Sequence, residues 1–281
     1  MTSFDGITTR PRYLALPDTF FSHVRPTPLR GNVRLVHFNG ELAREMGLSV
    51  DTPEDWTDIG AGRALLEGMN PVAMKYTGHQ FGMYNPDLGD GRGLLLWETE
   101  GPDGRIRDWH LKGAGQTPYS RFGDGRAVLR STIREYLCGE AMHHLGIPST
   151  RGLLLVSATE PVRRETMETA AALVRVADTH IRFGHFEYAA HHLGPEAVRT
   201  LADHTIRHHF PGLAALPETE RYPAFFAEIV RRTARTIAQW QGVGFCHGVM
   251  NSDNMSIIGD TFDYGPYAFL DEFDARYICN H

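Results

Sequence analysis

Long hydrophobic runs, paired cysteines and lysine are all scarce in this sequence of 281 residues. No apolar run exceeds about five residues, far below the roughly 18 that cross a bilayer, so a membrane-spanning protein is not expected. The N-terminal segment lacks the apolar stretch of a secretory signal. The three cysteines are widely spaced and include no Cys-x-x-Cys pair. We therefore expect a cytoplasmic protein without disulfides and without a membrane partner.

Positive charge is also in deficit, with 28 Lys and Arg against 34 Asp and Glu and a net charge of −6. No basic stripe is present, so nucleic acid is not an expected partner. Only Lys75 and Lys112 are lysines, and every other basic residue is an arginine. Biased codon usage accounts for the general preference, but a retained lysine can mark a site where a compact ammonium is needed. Lys112 is therefore a candidate functional residue.

The apolar fraction of 42% is ordinary for a chain that buries a core. The first 70 residues carry several prolines and are expected to be irregular. Beyond them, apolar spacing and glycine punctuation predict a series of elements. These are strands at 94–98, 109–112, 151–157 and 170–177, a turn at 101–104, a glycine-rich loop at 113–125, and helices at 126–145, 195–210 and 223–241.

Two of the predicted helices have an apolar face that we expect to be buried. In the first, the face comprises Leu129, Ile133, Leu137, Ala141 and Leu145. In the second, it comprises Phe226, Ile229, Val230, Ile237 and Trp240.

A glycine cluster precedes the first predicted strand, and it contains Gly89, Gly91 and Gly93 together with Arg92. Glycines let backbone amides approach phosphate oxygens, and the arginine can pair with the same charge. The alternative is an ordinary glycine turn between strands.

Lys112 ends the second strand of the predicted hairpin, where kinase-type folds hold a lysine that meets nucleotide phosphates. Glu135 lies on the next helix and is suited to hold that lysine, with Glu140 as its competitor. The alternatives are a lysine at a strand end in solvent and a solvated helix glutamate. Asp124 and Gly125 are predicted to begin the helix, where its amides and dipole would favour an anion.

The second half contains a stronger set of residues between His247 and Gly265. Small-molecule kinases carry His-Gly-Asp, then a metal-binding Asn five residues later, then Asp-x-Gly. His247, Asn254 and Asp263 match that register, whereas Val249 occupies the place of the catalytic Asp and cannot accept a proton. Asp253 is the nearest replacement. The alternative is a loop capped by Asn and Asp side chains.

Taken together, these residues resemble the selenoprotein O family. The matching segments run from about residue 25 to the end of the chain. They include 76–82, 88–93, 109–115, 117–120, 123–135, 181–186 and 247–265.

The resemblance implies an α+β fold of the protein-kinase type with two lobes, of which the N-terminal lobe is rich in strands and the C-terminal lobe is mainly helical. It implies an N-terminal extension over about 1–75, a nucleotide-binding lobe over about 76–175 and an incomplete C-terminal lobe over about 176–281. Family members continue beyond the point where this chain ends, so we expect the C-terminal part of the family fold to be missing. We also expect a monomer.

The family transfers AMP from ATP to hydroxyl side chains of proteins and binds the nucleotide in an orientation inverted relative to kinases. The resemblance assigns Asp253 as the general base, and Asn254 and Asp263 as ligands of Mg²⁺ or Mn²⁺. It assigns Lys112, Arg175 and Arg182 to the phosphates of the nucleotide. The residues that it expects to line the nucleotide are Gly89, Gly91, Arg92, Asp124 and Gly125. From the residues alone, Arg175 and Arg182 could equally be surface charges. The alternative functions are a kinase that transfers the γ-phosphate, a silent nucleotide-binding pseudokinase, and a transferase that uses UTP.

Overall fold

The structure is a computed structural model that describes residues 6–279. The outermost residues of the predicted 1–75 and 176–281 segments lie outside this range. The strands within it are β1 (Thr8–Thr9), β2 (Phe21–His23), β3 (Val33–Phe38), β4 (Val72–Met74), β5 (Gly78–Gln80), β6 (Met83–Asn85), β7 (Gly93–Glu100), β8 (Ile106–Lys112), β9 (Ala127–Val128), β10 (Arg151–Arg163), β11 (Met167–Ala177), β12 (Phe245–Cys246) and β13 (Ala268–Phe269). The α-helices are α1 (Gly40–Glu45), α2 (Thr57–Gly60), α3 (Leu129–His144), α4 (Phe183–Tyr188), α5 (Pro195–His209) and α6 (Glu218–Gly242).

The described chain divides into two compact units. The first unit contains residues 6–75, 87–140 and 150–180, and the second contains residues 76–86, 141–149 and 181–279. None of the helices among residues 6–279 combines the length and the apolar composition that spanning a bilayer requires.

The first unit is built on a large antiparallel sheet in the order β2-β4-β7-β8-β11-β10-β3, with β1 added to β7 and β9 added to β11. The central strands read as nearly continuous apolar runs because both of their faces are buried. Trp56 stacks on Trp109 with ring centroids 5.7 Å apart, and both indoles are fully buried. Together with the six α-helices of residues 6–279, this sheet confirms the predicted mixture of helices and strands.

The second unit carries two small antiparallel ladders, β5 with β6 and β12 with β13, together with α4, α5 and α6. The predicted helix at 195–210 is confirmed as α5, and the helix predicted at 223–241 starts earlier, at Glu218. Pro217 precedes that start and is suited to the entry of a helix because its φ is fixed.

The prediction that the first 70 residues are irregular was wrong. β3 pairs along β10 as the edge strand of the sheet, and α1 follows it directly. Asn39 caps α1, because its side-chain oxygen accepts the Leu42 N–H at 3.1 Å. The prolines that precede β3 in the sequence favour an irregular segment, and they outweigh the short apolar pattern of Val33–Phe38 when the sequence is considered alone.

The predicted start and buried face of the helix at 126–145 were also wrong. Residues 127 and 128 pair with β11 as a strand, so the helix begins only at Leu129. Leu137 is 60% exposed and Leu145 is 52% exposed. The buried side chains of α3 are instead those of Thr132, Glu135, Cys138 and Met142. Apolar spacing does not indicate this face because it contains a glutamate, although that glutamate has partners of opposite charge.

The face predicted for α6 is correct at Trp240, which is 4% exposed, and wrong at two other positions. Phe226 is 69% exposed and Val230 is 52% exposed. Both line an open apolar groove with Phe186 and Phe225, within the second unit.

Candidate active site

Lys112 ends β8 in the middle of the sheet of the first unit, opposite Gly93 of β7 and Leu173 of β11. Its ammonium forms an ion pair with Glu135 Oε2 of α3. The Lys112 side chain is 13% exposed and that of Glu135 is 3% exposed. Glu140, the competing glutamate, instead pairs with Arg151 at 2.8 Å. The lysine and the helix glutamate that were selected from sequence are therefore in contact.

Arg175 joins this pair from β11. Its Nη1 lies 3.2 Å from Glu135 Oε1, so the two carboxylate oxygens serve one cation each. Its Nη2 lies 2.9 Å from His110 Nδ1. A guanidinium can only donate, so Nδ1 is an acceptor and the proton of the neutral imidazole is on Nε2. That nitrogen lies 3.0 Å from Asp90 Oδ2 and donates to it. The surface alternative for Arg175 is wrong, because the residue is 3% exposed.

The glycine cluster around Asp90 is closely packed. A Cβ on Gly89 would lie 2.7 Å from the Tyr119 ring, and one on Gly91 would lie 2.8 Å from the Tyr119 carbonyl oxygen. A Cβ on Gly93 would collide with the His110 ring. The amides of Asp90 and Gly91 already donate to the carbonyls of Met74 and Gly89. Close packing therefore requires these glycines whether or not a phosphate binds.

Arg92 is exposed, and its carbonyl accepts the Gly113 N–H at 2.7 Å. Its guanidinium is therefore the group of this segment that is best suited to reach an anion.

Asp124 and Gly125 lie in the loop before β9 and not at the start of α3, so the predicted role of a helix terminus at these residues was wrong. Asp124 pairs with Arg164 at 2.7 Å and accepts the Arg126 N–H at 2.9 Å. Its hydrogen bond with Arg164 is the main cause that holds the Asp124 pKa below its usual value. Gly125 has a φ of +71° and packs against the backbone of Gly115, where no side chain fits.

In the second unit, His247 is a packing residue. It is 2% exposed, it stacks on Trp240 with centroids 5.3 Å apart, and its Nε2 lies 2.9 Å from the Phe262 carbonyl oxygen. Burial lowers the pKa of His247, so the ring is held neutral and donates to that carbonyl. The residue thus fixes the course of the loop that leads to Asp253.

Asp263, Asn254 and Arg182 form a polar cluster in the same unit. Asn254 Nδ2 lies 3.2 Å from Asp263 Oδ2, and the Arg182 guanidinium forms an ion pair with the same oxygen. Arg182 also donates to the Asp253 carbonyl at 2.7 Å and lies over the Phe262 ring. At 2% exposure it is no surface charge. Asp263 has a φ of +58°, a conformation that is uncommon for non-glycine residues but is adopted more often by Asp and Asn than by most others.

Asp253 is 7% exposed, and its two oxygens differ in their surroundings. Oδ2 accepts from Gln80 Nε2 at 2.9 Å. Oδ1 is buried and has no hydrogen-bond partner among residues 6–279. Burial raises the pKa of Asp253, while the charge of Arg182 and the hydrogen bond from Gln80 oppose that rise. A carboxylate with a raised pKa and one unengaged oxygen is suited to accept a proton.

Comparisons with known proteins identify the family to which the chain belongs. Residues 4–281 match the family model described as Protein adenylyltransferase SelO. This chain belongs to the SelO family. It is 57% identical over 264 residues to the Protein nucleotidyltransferase YdiU of Erwinia tasmaniensis, which covers 93% of this chain and 54% of that protein. It is 55% identical over 283 residues to the protein of the same name from Aliivibrio fischeri, covering 100% of this chain and 58% of that protein. The chain therefore spans about half the length of the curated relatives that it matches.

The residues of this SelO family member also fit a divalent cation of the Mg²⁺ type. Among residues 6–279, no group of three or more His, Cys, Asp or Glu side chains could hold a metal ion. Mg²⁺, however, is commonly bound by one or two protein oxygens together with substrate phosphates and water. The Asp263 carboxylate and the Asn254 amide oxygen are ligands of this kind, and the two side chains are neighbours, since Asn254 Nδ2 donates to Asp263 Oδ2.

Three residues in contact with these groups were not predicted as site residues: Gln80, which contacts Asp253; His110, which contacts Arg175; and Asn251, next to the short 3-10 turn of Asp253. Gln80 lies in one of the segments that carry the family resemblance, so a signal was present. His110 also lies in such a segment, at 109–115, and it stands two residues before Lys112 on the same face of β8.

Proposed function

We propose that this chain carries the catalytic residues of a protein adenylyltransferase, which transfers AMP from ATP to side-chain hydroxyls of other proteins with the help of Mg²⁺ or Mn²⁺. The observation that carries the proposal is the replacement of the kinase base by Val249 combined with the buried, half-engaged carboxylate of Asp253. The descriptions of the matching family and of the relatives support nucleotidyl transfer.

We also propose that the two compact units correspond to the two lobes of a kinase-like fold. The first unit contains the large sheet and the Lys112–Glu135 pair, as a nucleotide-binding lobe does. The second unit is mainly helical and contains the loop with Asp253, Asn254 and Asp263. The predicted division of the chain near residues 75 and 175 is a separate prediction that follows from the family resemblance.

In this function, Lys112, Arg175 and Arg182 bind phosphate oxygens. Glu135 holds Lys112 and Arg175 in place with one oxygen each, so both cations are oriented before a nucleotide arrives. Gly89, Gly91, Arg92, Asp124 and Gly125 line the nucleotide. The preorganised positive charge of Lys112 and Arg175 stabilises the negative charge that develops on the phosphate during the reaction.

Asn254 and Asp263 would hold the divalent cation, which supplies neutralisation of phosphate charge when it is bound. Asp253 would take the proton of the substrate hydroxyl on its carboxylate. The hydroxyl oxygen then forms its bond to the α-phosphorus, and the bond from that phosphorus to the pyrophosphate oxygen breaks. AMP stays on the substrate and pyrophosphate leaves.

The test is transfer of label from ATP to protein in a lysate that contains candidate substrates. We expect label on the α-phosphate of ATP to appear on protein and label on the γ-phosphate not to appear. Asp253→Ala should remove the α-label, and Val249→Asp should not create γ-transfer. Mass spectrometry should find AMP on Ser, Thr or Tyr.

Each alternative gives a different result. Transfer of γ-label without α-label would identify a kinase. Binding of ATP and Mg²⁺ by titration calorimetry without any transfer would identify a silent module. The relatives are named nucleotidyltransferases without a stated base, so α-labelled UTP is tested in parallel. Stronger labelling by UTP would replace adenylylation with uridylylation.

A further inference from the structure

The hairpin of β5 and β6 lies against the segment that carries Asp253, within the second unit. Three consecutive hairpin residues each bond one residue of that segment. The His79 N–H donates to Ser252 Oγ at 2.7 Å. The Gln80 side chain donates to Asp253 Oδ2 at 2.9 Å, and the Phe81 N–H donates to Asn251 Oδ1 at 3.0 Å.

The backbone of the hairpin is adapted to this contact. A Cβ on Gly78 would lie 3.1 Å from both the backbone N and the Cβ of Asp253, closer than side chains usually tolerate. Phe81 has a φ of +51°, which is costly for a bulky residue, and its side chain is 77% exposed. Burial of the phenyl ring therefore does not explain this conformation. The two-residue turn between Gln80 and Met83 does, because a tight hairpin turn of this kind requires a positive φ at both central residues, here Phe81 and Gly82.

The orientation of the Gln80 amide is fixed from both sides. Its Oε1 accepts from Asn85 Nδ2 at 3.2 Å, on the opposite strand of the hairpin. Its Nε2 must therefore point to Asp253, where only a donor can satisfy a carboxylate. The result is that one Asp253 oxygen is engaged and the other has no hydrogen-bond partner within the described range 6–279.

We infer that Gln80 is the positioning residue for Asp253, and that its hydrogen bond to Oδ2 fixes the orientation in which the carboxylate takes the substrate proton. The catalytic part of this inference rests on the proposed function. The structural part, that Gln80 holds the Asp253 segment, does not. A base must lie within hydrogen-bond reach of the proton it abstracts, and small displacements are costly, so a residue that fixes the carboxylate acts on the rate.

Two variants of Gln80 test this inference. Gln80→Met keeps the length of the side chain and removes the donor, whereas Gln80→Glu keeps the shape and places a second carboxylate against Asp253. Tyr84→Phe is the matched control, because it removes a hydrogen bond of the same hairpin, to His192 at 3.0 Å, without touching Asp253.

We expect kcat for α-label transfer to fall about 10- to 100-fold in Gln80→Met, and further in Gln80→Glu. KM for ATP and the melting temperature should stay near those of the wild type. A merely structural hairpin would give the opposite pattern, with a lowered melting temperature and matching losses in Tyr84→Phe. Wild-type kcat in Gln80→Met would overturn the inference.

Hydrogen–deuterium exchange supplies a readout that does not depend on turnover. Peptides covering residues 249–256 should exchange faster in Gln80→Met than in the wild type or in Tyr84→Phe. Unchanged exchange would refute the positioning role. If the wild-type chain transfers no α-label while exchange responds as expected, the proposed function fails and the structural part of the inference stands.

Discussion

Glu135 carries the negative charge of the buried cluster that it forms with Lys112 and Arg175. The substitution Glu135→Gln removes this charge without changing the shape of the side chain. The residue is 3% exposed and lies between Lys112 and Arg175, with one oxygen on each. The three groups together carry one positive charge. In the variant, two cations face a neutral amide that can accept from only one of them.

The size of the effect follows from burial. Breaking a buried ion pair by removing one partner costs about 3–5 kcal/mol, because an uncompensated charge remains. Arg175 has a side chain only 4% exposed and cannot reach water, whereas Lys112 at 13% can turn partly outward. We therefore expect a loss near the lower end, about 3 kcal/mol in the free energy of unfolding. At about 2–4 °C per kcal/mol for a chain of this size class, the melting temperature should fall by about 6–12 °C.

Urea titration followed by tryptophan fluorescence is a suitable assay, because Trp56, Trp97 and Trp109 all lie in the first unit. Glu168→Gln is the matched control, since Glu168 also pairs with an arginine, at 3.1 Å, but that arginine is 72% exposed. Surface pairs of this kind contribute little. If Glu135→Gln is no less stable than Glu168→Gln, the reasoning about the buried cluster is wrong.

Three further predictions concern catalysis, metal binding and pH. Lys112→Arg should lower α-label transfer at least tenfold, about 1.4 kcal/mol of transition-state stabilisation, because a planar guanidinium cannot replace the ammonium against Glu135; undiminished transfer in a folded variant would contradict the role of phosphate ligand. Asp263→Asn tolerates the positive φ and should abolish Mg²⁺-dependent ATP binding in titration calorimetry, and a variant that binds as the wild type does would exclude Asp263 as a metal ligand. Burial and the nearby Asp108 raise the pKa of Glu98 from 4.5 to about 7, so the unfolded chain ionises first and the wild type should lose stability relative to Glu98→Gln as pH rises between those values. Parallel urea midpoints of the two proteins across that range would count against this.

The sequence predicted the elements around Lys112 well, because local signals there agree with the tertiary fold. The strand at 94–98, the turn at 101–104 and the strand ending in Lys112 are all present, and the two strands form a hairpin. Glycine and proline punctuation fixed their limits. The helix glutamate could be selected because the distance along the chain from the lysine matched a known arrangement.

The contacts of Asp253 could not be predicted in this way. Gln80 is 173 residues away in the chain, and no periodicity connects a short hairpin to a loop at such a distance. The same holds for Arg175 and His110, which meet because β11 and β8 are neighbours in the sheet. The order of strands is a long-range property, and the sequence analysis proposed no strand order.

The glycines at 89, 91 and 93 illustrate the limit of reasoning from residue type. Residue type alone predicts that these glycines let the backbone amides approach a phosphate. In the structure, Tyr119 and His110 fill the space where side chains would be. Both explanations require glycine at these positions, since each excludes a Cβ. They differ in the group that a Cβ would collide with, which is a phosphate in one case and a protein side chain in the other. His110 packs against Gly93 and also accepts a hydrogen bond from Arg175, so the glycine segment and the buried charge cluster are connected. A substitution at Gly93 would therefore displace His110 and, through it, Arg175. This effect would not require any contact with a nucleotide.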